Sequence, residues 1–147
     1  MRIGATLRSR YDLIISSGAQ RATQAAACFL AGAAIRVAGG IVIDEGFRSE
    51  HEDRWRDAYQ QAGSGSLEAM READPELVEQ DSAALSAALE RVFDALPEGG
   101  RALVVGHSPT NEAAVLGLTG EIVEPMSKGA RILVIAEDQA FRLQSLD

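Results

Sequence analysis

The sequence predicts an α/β domain, three layers thick (α/β/α) around a mostly parallel sheet. Tyr11-Asp12-Leu13-Ile14-Ile15-Ser16 and Arg101-Ala102-Leu103-Val104-Val105-Gly106 are short, nearly continuous apolar runs without polar alternation. Strands covered by helices on both faces need that pattern, because neither face meets water. Between them Leu85, Ala88, Leu89, Val92, Phe93 and Leu96 recur at i, i+3, i+4, i+7, i+8 and i+11, one stripe of a helix. At 147 residues, 46% hydrophobic and 24% charged, the chain has the size and balance of one soluble domain spanning residues 1–147.

The elements follow in order. Residues 11–16 form a buried strand, and the helix after it presents a narrow face of Ala22, Ala25, Ala26, Phe29 and Leu30, small enough for close approach to a sheet. Residues 40–43 make a weaker, short strand. Residues 44–81 hold 12 acids and four arginines around Gly63-Ser64-Gly65-Ser66 and read as a solvated helical excursion. The helix of residues 85–96 stops at Pro97-Glu98-Gly99-Gly100, and a second buried strand and a helix follow. Residues 131–136 and 141–146 form a terminal strand pair about the turn Glu137-Asp138-Gln139 that adds an edge to the sheet.

Charge narrows the function. The net charge of −8 repels a nucleic-acid backbone or an anionic membrane surface. The longest small-and-apolar run, residues 25–35, is well short of the roughly 18 residues that span a bilayer. No secretory leader can be drawn at residues 1–12, so the expected location is the cytoplasm. The charge is also uneven: residues 1–43 carry five Arg and one Asp, the remainder nine basic and 21 acidic groups. An anion would meet the early part of the chain.

Both buried strands run into a helix start, and two parallel strands place those junctions on one edge, where open α/β sheets hold ligands. At the first, Ser17 is a candidate N-cap with Gln20 three residues on, a capping box, and Arg21 follows in the first turn. At the second, Ser108 is a candidate N-cap, Pro109 fits the first helical position and His107 ends the strand. Two helix N-termini, a guanidinium and an imidazole thus converge on one crevice, a site for an anion such as a phosphoryl group. Phosphate or a phosphorylated small molecule is the expected partner.

Other features read more plainly. Gly106-His107-Ser108-Pro109-Thr110 resembles a GxSxG nucleophile elbow, but the fifth residue is Thr110 and no histidine follows His107, so the sequence offers Ser108 no base. No GxxxxGK[ST] loop is present. Two histidines and one cysteine make no zinc set. His51, among Glu50, Glu52, Asp53 and Arg54, reads as exposed; Trp55 and Tyr59 as core or cover; Cys28 as an inert buried thiol.

Asp12-Leu13-Ile14-Ile15-Ser16-Ser17-Gly18-Ala19-Gln20-Arg21-Ala22-Thr23-Gln24 resembles the SSPxxRAxQ segment of the histidine phosphatase superfamily (phosphoglycerate mutase-like), and Leu103-Val104-Val105-Gly106-His107-Ser108 resembles its second-histidine strand. Gly18 stands where the family usually has Pro. The resemblance implies a phosphoglycerate mutase-like fold and a phosphomonoester hydrolase (or mutase-like) activity, with Arg21 and His107 in the phosphate pocket beside Ser17 and Ser108, and no metal or organic cofactor. For the proton donor it implies Glu50, in Phe47-Arg48-Ser49-Glu50, with Glu45 in reserve. The family's first strand, which ends in Arg-His-Gly and carries the nucleophilic histidine, has no counterpart before Tyr11, and residues 1–10 read like the tail of the helix that follows it.

That absence removes a central strand and the covalent step. Unpaired backbone groups beside the gap would each cost on the order of 1–3 kcal/mol. The sequence leaves three accounts open: a start upstream of Met1, a strand supplied by another chain, or a rearranged relative without phosphohistidine. Two functional readings follow. One is a hydrolase impaired as written. The other is a non-catalytic phosphoester-binding or interaction module, with a homodimer that pairs across the open sheet.

Overall fold

Leu13-Ile14-Ile15-Ser16 forms β1 (Leu13–Ser16), which in this computed structural model is the middle strand of a three-stranded parallel sheet. The structure describes residues 11–33, 40–125, 132–137 and 140–145. The reading of residues 1–10 as a helix tail lies outside them. The chain forms two compact units, Met1–Arg48 with Arg91–His107 and Ser49–Glu90 with Ser108–Asp147.

In the first unit β2 (Ile41–Ile43) pairs with β1 as Ile14 to Ile41 and Ser16 to Ile43, and β3 (Ala102–Val105) pairs on the other side as Leu13 to Ala102 and Ser16 to Val105. The short strand expected at residues 40–43 is therefore present. Asp12 fastens the start of β1: its N–H donates to the Arg101 carbonyl, and its carboxylate accepts from the Arg101 N–H, both at 2.8 Å. Helix α1 (Gln20–Ala33) lays Ala22, Ala26 and Phe29 inward, and Ala26 and Phe29 pack with Ile14, Leu30, Ile41, Leu103 and Val105. Tyr11 meets Phe29 edge to face, with centroids 5.5 Å apart.

Three expectations change here. Ala25 and Cys28 are exposed, because with positions 22, 26 and 29 turned to the sheet the 100° step carries residue 28 to the far side of the helix. The Cys28 thiol is thus not buried. β3 is half-buried along its length whereas β1 is largely buried, since β1 has a strand on each side and β3 has one among the described residues. The terminal strands β4 (Ile132–Glu137) and β5 (Ala140–Ser145) do pair antiparallel, with Ile135 opposite Arg142, but they form a sheet of their own and add no edge to the parallel one. A hairpin satisfies half its backbone locally and needs no crossover to do so. Of the expected turn, residues 138 and 139 lie outside the described residues.

The second unit is mainly helical: α2 (Glu52–Ala62), α3 (Leu67–Ala73), residues 75–90 of α4 (Pro75–Ala95), and α5 (Thr110–Thr119), with the β4–β5 hairpin. Gly63, in the left-handed region at φ 65°, ends α2, and Ser66 caps α3 by accepting the Ala69 N–H. α4 shows the predicted phase, with Leu85, Ala88 and Val92 buried and Leu89, Phe93 and Leu96 half-buried, and it ends before Pro97 as expected. Trp55, Leu67, Met70, Leu77, Leu85 and Ala113 form the core of this unit. Tyr59 is exposed, and His51 is half-buried rather than exposed because its backbone occupies the cap position of α2.

Asp74 joins two of these helices. Its carboxylate accepts from the Leu77 N–H at 3.2 Å, capping α4 ahead of Pro75, and from Arg54 at 2.9 Å on α2. The Arg54 hydrogen bond holds the Asp74 carboxyl below its ordinary range and raises the guanidinium. A carboxyl whose pKa is lowered by folding contributes stability that is complete above its unfolded pKa, near 3.9, and is lost as pH falls through the folded value. Acid titration of the melting temperature should therefore show a fall below about pH 4 that Asp74→Asn reduces. Partial exposure of both groups keeps the step small.

Candidate functional site

β1 and β3 are adjacent and parallel with Ser16 opposite Val105, so both end at the same edge, and the Ser17 N–H carries the pairing one step on by donating to the Val105 carbonyl at 3.0 Å. Arg21 is the second residue of α1, five residues past β1, and is exposed. His107 is two residues past the end of β3 and is exposed. The guanidinium and the imidazole thus leave neighbouring strands at one sheet edge.

The junction after β1 differs in detail from the sequence expectation. α1 begins at Gln20, Ala19 takes the cap position, and no Ser17–Gln20 capping box forms. Gly18 causes this by turning the chain at φ 91°. The Gly18 N–H donates to Ser16 Oγ at 3.1 Å, the Ala19 N–H to Ser17 Oγ at 3.4 Å, and Ser16 Oγ lies 2.9 Å from Thr23 Oγ1. Ser17 is fully buried, its hydroxyl engaged with its own loop. Proline, fixed near φ −65°, cannot take the Gly18 conformation, so this corner is built for glycine. Among the described residues nothing accepts from the N–H groups of Gln20, Arg21 and Ala22, the first donors of α1.

β2 brings a third segment to the edge, since Ile43 pairs with Ser16 and the Asp44 N–H donates to the Ser16 carbonyl at 2.9 Å. Asp44 then caps a 3-10 turn, Glu45–Phe47, by accepting the Gly46 N–H, and Phe47 is buried. A Cβ built on Gly18 would lie 3.1 Å from Ile43 Cγ2, 3.6 Å from Glu45 Cγ and 4.0 Å from Arg48 Cδ. The stems of Glu45 and Arg48 therefore line the β1–α1 corner. The sequence does not single out Arg48, whose only signal there is its place beside Phe47. Glu50 belongs to the second unit and is exposed there.

Ser108 also belongs to the second unit. α5 starts at Thr110, so Pro109 sits at the cap and not at the first helical position, and Ser108 is not the N-cap. Its hydroxyl instead donates to Glu112 Oε2 at 2.7 Å, which takes it out of capping. Separately, the second unit has a shallow cavity of about 400 Å³ lined by Glu121, Ile122, Val123, Phe141, Arg142 and Leu143.

Chemically, the sheet edge offers a guanidinium, an imidazole and free helix donors for an anion, and a carboxyl at Glu45 that could exchange a proton. Among the described residues no three His, Cys, Asp or Glu side chains gather to hold a metal ion, and no helix is long and apolar enough to cross a membrane. No protein-family model, no curated protein and no solved structure matches the chain.

Proposed function

We propose that the carboxyl edge of the parallel sheet binds the phosphoryl group of a phosphomonoester, in a domain of histidine phosphatase (phosphoglycerate mutase-like) type. The observation that carries this reading is the departure of Arg21 and His107 from adjacent parallel strands at one edge. A guanidinium binds two phosphoryl oxygens in a planar fork, and an imidazolium meets charge on a third. The α1 donors add positive potential on the same side. Glu45, whose stem lies against the Gly18 corner, is the proton donor this reading takes at the edge.

Hydrolysis by this family's route would pass through a phosphohistidine, and neither His51, which follows Glu50, nor His107, which follows Gly106, stands in an Arg-His-Gly motif. His107 orients charge rather than attacking, so the 147-residue chain binds phosphate with weak or no turnover. A second reading, a non-catalytic phosphoester-binding module that pairs through its sheet, draws support from Val42 and Ile43, 43% and 50% exposed on β2, the outer strand among the described residues.

Thermal unfolding in rising inorganic phosphate tests the site. At phosphate a hundredfold above its dissociation constant, stabilisation of about 2.7 kcal/mol is expected, and Arg21→Ala should abolish most of it. Turnover of 4-nitrophenyl phosphate, however weak, that disappears in Arg21→Ala supports catalysis; stabilisation with no turnover at all supports the binding module. A melting temperature indifferent to phosphate at constant ionic strength ends both readings.

A further inference from the structure

Taken alone, the sequence gives Ser108 no base. The fold supplies one. Glu112 is 1% exposed, sits on the first turn of α5, and accepts the Ser108 hydroxyl at 2.7 Å, while Ser108 itself is exposed. We propose that Ser108 and Glu112 are a nucleophile and general base that react with neutral, activated carboxylic esters.

The geometry is that of an activated hydroxyl: nucleophile and base within hydrogen-bond reach, the nucleophile open to solvent, the base held by a helix turn and by burial. Glu112 lies beside Ala113, Ala114 and Val115, all buried, so its rotamer is confined where an exposed glutamate's would not be. The N-terminus of the ten-residue α5 begins two residues after Ser108 and carries partial positive charge, suited to an oxyanion developing near Oγ. The electrophile class follows from charge. A carboxylate 2.7 Å from Oγ disfavours a dianion at that oxygen relative to an uncharged ester. The inference rests on residues of the second unit and stands apart from the phosphoryl reading.

The steps balance. As Ser108 Oγ bonds to the ester carbonyl carbon, its proton passes to Glu112 Oε2. The carbon–oxygen bond to the leaving alcohol then breaks, and that alcohol takes the proton from Glu112. Water, losing its proton to Glu112, attacks the acyl-serine; the carbon–Oγ bond breaks, Oγ recovers the proton, and the carboxylic acid leaves.

The test uses the whole 147-residue chain with a neutral fluorophosphonate ester, which forms a phosphorus–oxygen bond to an activated serine and releases fluoride. Peptide mass spectrometry should place the adduct on Ser108, and Ser108→Ala should remove it. Glu112→Gln, which keeps the shape and one acceptor but not the base, should slow labelling and 4-nitrophenyl acetate hydrolysis by about a hundredfold or more, the usual weight of a general base. No adduct on Ser108, or equal labelling of folded Glu112→Gln, overturns the proposal. If Glu112→Gln does not fold, the wild-type adduct decides: Ser108 labelled in the native chain but not after urea denaturation supports activation, and equal labelling in both states overturns it.

Discussion

Replacing Gly117 by alanine is expected to lower the stability of the helical unit by about 2 kcal/mol, although alanine is the better helix former by about 1 kcal/mol. Gly117 lies where α5 crosses α4. A Cβ there would overlap the Ser82 carbonyl oxygen and lie 2.7 Å from the carbonyl carbon and 2.8 Å from Ser86 Cβ. Two of those three neighbours are backbone and cannot turn away, so the helices must separate. Separation loosens Ala113, Ala114 and Leu116 from the cluster that holds Leu77 and Leu85. Overpacking of this kind costs about 3 kcal/mol, which exceeds the propensity gain. Urea unfolding followed by circular dichroism should show the midpoint fall, with a loss of roughly 4–8 °C in melting temperature. An alanine variant as stable as the parent would mean that the close crossing is not a constraint.

Asp81→Ala is the second large effect, expected to cost about 3 kcal/mol. Asp81 is nine-tenths buried on α4, and its Oδ2 accepts the Trp55 indole N–H at 2.6 Å and the Ser49 hydroxyl, whose oxygen in turn accepts the His51 N–H at 2.9 Å. Both donors are neutral groups, and their hydrogen bonds satisfy the buried carboxylate oxygen. Alanine strands a buried indole N–H and frees Ser49, which fixes the approach to α2. Asp81→Asn keeps an oxygen that can accept both bonds and should fall between parent and alanine. Because the chain has one tryptophan, its emission reports the loss directly, moving to the red as Trp55 meets water. Equal stability of the three proteins would exclude the network as a support.

What the sequence disclosed divides along a physical line. β1, β3 and the α4 stripe were legible because each is set by apolar periodicity within one segment. The α/β class followed from them, and so did the common edge for Arg21 and His107, since parallel strands admit one answer. The caps were misread at both junctions because residue type does not determine backbone turns: Gly18 at positive φ moved the start of α1 past Ser17, and the Glu112 carboxylate drew Ser108 away from capping. Cys28 was misplaced because an Ala-rich helix carries a weak phase signal. Arg48 against Gly18, and Ser49 and Trp55 on Asp81, join residues 26 to 32 apart in the chain, contacts that no local pattern encodes.

The order in which the chain can fold follows from β1 sitting between β2 and β3. β2 arrives some 25 residues after β1, but the bond from the Arg101 N–H to Asp12 closes across 89 positions, with residues 49–90 of the helical unit inside the loop. Closing a loop of that length costs about 4 kcal/mol of chain entropy beyond a constant. During synthesis one side of Ile14 and Ile15 therefore waits, apolar and unpaired, until Ala102–Val105 has emerged, while α2 and α3 need only near neighbours. The parallel sheet is the late and aggregation-prone step of this molecule, and a chaperone that shields extended apolar segments would act on it there.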